Sequence, residues 1–156
     1  MHSLAVLQLT VLMLTLVNPF PAHAVENAGI IPTTFYYSFY YPDLLANGEI
    51  VNGKCADQEN GICHTTNCFD YDVEAGRCRS PMASGLDWHG FIGKVVACGF
   101  EFPLGTVFRV LTPAKLAGEY ICLDRCPACT GKHLLDFLSA SQQLPWWTPL
   151  QVQVLP

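Results

Sequence analysis

Cys122, Cys126, Cys129 and His133 stand at short spacings that a four-ligand zinc site could use. The competing chemistry for these thiols is disulfide formation. The chain carries eight cysteines, the others being Cys55, Cys63, Cys68, Cys78 and Cys98. An even count in an exported chain favours disulfides, though eight cysteines leave the pairing open. Asp70-x-Asp72-x-Glu74 has the start of a calcium loop, but Ala75 stands where the loop needs Gly and Pro81 where it needs Glu. No metal and no cofactor is expected. Two aspartates are better placed. Asp124 follows Tyr120-Ile121-Cys122-Leu123, so it should emerge at the end of a rigid strand, where binding and catalytic groups collect. Asp136 opens a predicted short helix, where a carboxylate can accept backbone N–H bonds. Asp87, Trp88 and His89 form a compact cluster in a predicted loop, suited either to stacking on a sugar ring or to anchoring the loop.

The elements that must hold these groups are mostly strands. Thr33 to Tyr41 is rich in β-branched and aromatic residues, and Pro42 ends it. Gly93 to Cys98, Thr106 to Leu111, Glu119 to Leu123 and Leu150 to Leu155 read as further strands between Pro- or Gly-containing turns. The last alternates, with Leu150, Val152 and Val154 on one face and Gln151 and Gln153 on the other. His133 to Gln143 is the predicted helix, ending before Pro145. Trp146-Trp147 is expected to pack that helix end onto the strands, with sugar stacking as the alternative. Several short strands and one helix suggest a small closed barrel. The first four cysteines lie in a loop-like stretch, Asn52 to Pro81, where local staples would offset a weak core.

The amino terminus sets the compartment. Leu4 to Val17 is an apolar run of roughly 14 residues, short of the ~20 that span a bilayer. Asn18-Pro19 breaks it, and Ala22-His23-Ala24 has the small-x-small pattern of a cleavage site. Residues 1–24 are therefore expected to be a signal peptide, leaving a secreted or periplasmic protein with no stable membrane anchor. With 8 basic and 13 acidic residues the formal charge is −5, which argues against a nucleic-acid partner but not against a neutral glycan.

Ala83-Ser84-Gly85, Ala97-Cys98, Phe102-Pro103-Leu104-Gly105-Thr106, Asp124-Arg125-Cys126-Pro127 and the run from Gly131 to Ser139 follow one another in an order that resembles the double-psi β-barrel superfamily of cell-wall proteins. The nearest likeness is to rare lipoprotein A and the three-aspartate domain of lytic transglycosylases, with expansins more distant. The resemblance covers Met82 to the carboxyl terminus, with Thr33 to Tyr41 as a first strand.

The resemblance implies a mainly β fold, a small six-stranded double-psi β-barrel with one or two short helices and a Cys-rich insertion. The expected organisation is a signal peptide (1–24), an amino-terminal strand and Cys-rich region (25–81) and the barrel core (82–156). It also implies that Asp124 is an acid or base in a glycan cleft; Asp136 or Asp87 is the candidate support, and Arg125, Trp88, His89 and His133 are the candidate substrate contacts. Cys98 stands where the three-aspartate pattern has an Asp, and Gly99 where the rare lipoprotein A pattern has a His. The expected activity is lytic cleavage of peptidoglycan or another wall glycan. The alternatives are an expansin-like module that binds or loosens polysaccharide, and a structural extracellular protein.

Overall fold

Inward Phe35 and Tyr37 alternate with outward Tyr36 and Ser38 along Thr33–Tyr40, and this segment forms strand β1. The computed structural model describes residues 31–155, so the expected signal peptide, residues 1–24, lies outside the described residues. Five more strands complete a closed barrel: β2 (Val95–Cys98), β3 (Val107–Thr112), β4 (Gly118–Arg125), β5 (Leu134–Leu138) and β6 (Pro149–Leu155). Around the barrel the order is β1-β5-β2-β4-β3-β6, closing back on β1. The pairs β1–β5 and β4–β2 are parallel and the other four antiparallel. Exchanging β1, β2 and β3 for β4, β5 and β6 maps this pairing onto itself. Two interlocked halves of that kind make the double-psi barrel. Closure leaves no strand edge open for pairing with another chain.

Phe35, Tyr37, Phe108, Leu135, Phe137 and Leu150 fill the interior. The disulfide Cys98–Cys122 crosses this core between β2 and β4. A second core lies outside the barrel wall. Residues 41–94 leave β1, fold over the outer surface of β1, β5 and β2, and return as β2. Tyr71, Met82 and Trp88 of this excursion bury Tyr40, Val95, Ala97 and Leu138 of the barrel. Its backbone is mostly turn, with three two-residue hairpins. Cys55–Cys63 and Cys68–Cys78 staple it locally, as the loop-rich composition suggested.

Two expectations change. His133 to Gln143 is not a helix: Leu134–Leu138 is strand β5, and the helices among the described residues are three 3-10 turns of three or four residues. Leu134, Leu135, Phe137 and Leu138 are apolar on both faces because one face enters the barrel and the other lies under the excursion. A short run buried on both sides has no period that separates strand from helix. The boundary at residue 81 also moves, because 82–156 supplies only five strands and the barrel closes through β1.

Candidate functional site

Ser38 of β1, Asp136 of β5, Ala97 of β2 and Asp124 of β4 stand side by side in one row across four adjacent strands. The row lies on the outer face, at the edge of the excursion. Asp124 reaches that face through a bulge. Tyr120 and Cys122 face the barrel interior, so strict alternation would also turn Asp124 inward. Instead β4 pairs Cys122 with Val96 and Asp124 with Ala97, leaving Leu123 as an extra residue. Such bulges re-aim the side chain that follows. Asp136, expected to cap a helix, is the middle residue of a strand whose inner neighbours Leu135 and Phe137 sit in the core.

The two carboxyl groups have different surroundings. Asp136 is largely buried, and burial first, with the nearby charge of Asp124 added, pushes its pKa up to about 6. The Ser38 hydroxyl donates to its Oδ1 at 2.7 Å, which opposes the shift without cancelling it. Asp124 instead collects donors: Ala83 N–H and Arg125 N–H reach Oδ1 at 2.9 Å each, and the Tyr40 hydroxyl reaches Oδ2 at 3.0 Å. Three donors and no competing acceptor suit a carboxylate anion. The Tyr40 phenol is driven upward by burial and by both aspartates, so it stays a neutral donor. Ala97, between the aspartates, is the smallest side chain in the row and is itself buried at the margin of the groove. Two strand spacings set the two Cα atoms about 10 Å apart.

Above the row lies a groove of about 390 Å³, lined by Ser38, Tyr40, Asp124 and Asp136 on its floor. Cys126, Pro127 and Ala128, Thr66 and Asn67 of the excursion, and Trp146 and Trp147 also line it. A second trench of about 320 Å³ shares Thr66, Asn67, Asp124 and Arg125 with it and continues under the excursion. Asp124 thus stands where the two meet.

The other expected site residues disperse. The Arg125 guanidinium turns away from both aspartates, donates to the carbonyls of Phe102 at 2.6 Å and Gly99 at 3.1 Å, and lies over the Phe100 ring. It fixes the 99–105 turn, and only its backbone N–H serves Asp124. Trp88 is 2% exposed, stacked on His89 and edge-on to Tyr41, so its face is filled by the protein and not free for a sugar. Asp87 caps the 3-10 turn at Trp88–Phe91, with His89 bonded to it, in a separate depression beside Arg77 and Arg79. It lies outside the groove that holds Asp124 and Asp136. His133 stacks on Phe35 outside the groove. The Glu101 carboxylate accepts from Gly131 N–H and ties two turns together.

Cys122 is committed to Cys98, and Cys126 to Cys129, which removes the zinc set. Among the described residues no group of three or more His, Cys, Asp or Glu could hold a metal ion. Sequence reasoning missed Ser38 and Tyr40, and placed Trp146-Trp147 in packing. A signal for the first two existed: alternation in Thr33–Tyr40 puts a single Ser on one face between Tyr36 and Tyr40.

Comparison with family models, with curated proteins and with solved structures returned no match. The functional reading therefore rests on the geometry of the groove.

Proposed function

We propose that this chain is an exported enzyme that cleaves the glycan strands of a cell wall without water, in the manner of a lytic transglycosylase. The observation that carries this reading is the aspartate pair facing one open groove across Ala97, one carboxyl buried with its pKa near 6 and the other held by three donors. General acid catalysis needs a carboxyl that keeps its proton near the working pH, and the buried Asp136 meets that need. This reverses the roles expected from the resemblance.

Asp136 donates its proton to the glycosidic oxygen as the bond to the anomeric carbon breaks. Asp124 stabilises the positive charge that develops on the sugar. A hydroxyl of the same sugar forms the new bond to the anomeric carbon, and its proton passes to Asp124. Solvent then returns the proton to Asp136. Tyr40 holds Asp124 in place, and Ser38 orients Asp136. The four disulfides are typical of proteins that fold outside the cytoplasm, which suits a wall substrate.

One observation favours a second reading, a binding or loosening module. Cys98, at the position where the three-aspartate pattern has an acid, faces the interior in a disulfide, and Asp87 lies elsewhere. Incubation with peptidoglycan sacculi, followed by mass spectrometry of soluble products, separates the two. The enzyme releases anhydro-muropeptides, and Asp136→Asn and Asp124→Asn release at least about a hundredfold less. Sacculus binding with no product from the wild type leaves the binding module.

A further inference from the structure

Trp146 and Trp147 are 56% and 54% exposed, and both line the groove that holds Asp124 and Asp136. We propose that they form a stacking shelf for pyranose rings, the binding subsite that holds a neutral glycan chain while an adjacent bond lies over the aspartates. The proposal rests on the glycan reading above and assigns residues to it that the catalytic argument does not use.

Several observations carry it. The shelf is continuous with the site: Tyr36 shares the outer face of β1 with Ser38 and Tyr40, and Trp147 leans on Tyr36 with centroids 6.0 Å apart. Trp146 meets Phe39 edge-on at 5.9 Å. One contact is tilted and the other edge-on, so neither is a parallel stack. The shelf is also rigid. Trp147 N–H donates to Tyr37 C=O and Tyr37 N–H to Thr148 C=O, while Thr148 N–H and hydroxyl both close onto Pro145 C=O. Rigid, amphipathic aromatic area binds with little loss of side-chain freedom.

Trp147 further holds a φ of 62°, a backbone region that bulky L-residues rarely adopt. A large apolar side chain that is both exposed and in a left-handed turn contributes little to folding. Asn would suit the same turn better.

The ligand class follows from the polar groups. In the same lining the Thr66 hydroxyl donates to Glu49 and the Asn67 amide to Leu44 C=O, which leaves their side-chain oxygens as acceptors for ligand hydroxyls, and the cationic side chain there, Arg125, is bound to backbone carbonyls. A polyanion would find no free positive charge there. A flat, hydroxyl-bearing, uncharged ring fits this lining.

The test is calorimetric titration with a β-1,4-linked N-acetylglucosamine tetramer, alongside thermal melting and sedimentation of each variant. Trp146→Ala and Trp147→Asn are expected to weaken binding by about tenfold or more each. Trp147→Asn should melt at or above the wild-type temperature. An affinity within twofold of wild type, a loss matched by a fall in melting temperature, no tetramer binding by any form, or a Trp-dependent dimer would each overturn the shelf. Shelf-dependent binding without sacculus cleavage would instead sink the catalytic reading and leave the shelf standing.

Discussion

Asp136 links the chemistry of the groove to the stability of the barrel. Its carboxyl titrates near 6 in the folded protein because burial disfavours the charge. In the unfolded chain it would titrate near the usual aspartate value of about 4. The folded state therefore holds the proton more tightly, and stability falls as pH rises between about 4 and 6. Above that window a charged, buried carboxylate costs roughly 2–3 kcal/mol, from a shift of about two pH units. Asp136→Asn should remove this slope, so its melting temperature gains on wild type between pH 4 and pH 7 while cleavage is lost. Cleavage by wild type should decline above about pH 6 as the acid loses its proton. Tyr40 makes a separate prediction. Tyr40→Phe takes one of three donors from Asp124, so kcat should fall about tenfold with KM little changed and a stability loss of about 1 kcal/mol. A loss confined to KM would argue that the phenol contacts substrate directly.

Strands β2 and β4 decide where Asp124 points. The Leu123 bulge turns it to the outer face, and Cys98–Cys122 clamps the same two strands from inside. The bridge closes a loop with a sequence separation of 24, which constrains the unfolded chain by about 3.5 kcal/mol. The double variant Cys98→Ala/Cys122→Ala should lose stability of that order in chemical denaturation, with activity falling in step. The alternation in β6 was readable from the sequence, because Leu150, Val152 and Val154 on one face stand against Gln151 and Gln153 on the other. β5 was not, because it is buried on both sides. The bulge in β4 was invisible for a related reason: one inserted residue changes which face follows without changing any residue type.

The barrel and its excursion form a single unit, because the outer wall of the barrel is the floor of the second core. Tyr40, Val95, Ala97 and Leu138 are buried by residues 41–94. Replacing residues 44–79 by a short Gly-Ser linker would uncover these side chains, at about 1.5–3 kcal/mol for each large one. The expected outcome is aggregation or loss of cooperative melting. A shortened chain that melts like wild type would show that the barrel is stable without its cover. The excursion also supplies Thr66 and Asn67 to the groove, so the cysteine-rich stretch, which carries no motif of its own, builds one wall of the site.

What the sequence determined by itself was the class of molecule: a strand-rich barrel, cross-linked by disulfides, with Asp124, Asp136 and Asp87 as its candidate aspartates. Those features follow from local composition and from motif order. Tertiary structure alone decided that Asp124 and Asp136 share one row, that Trp88 is buried while Trp146 and Trp147 are exposed, and that Arg125 faces away. Each of these depends on strand register, on a one-residue bulge, or on what covers a surface. Register and cover arise from contacts between segments as far apart as Ser38 and Asp136, and local residue preferences carry no record of them.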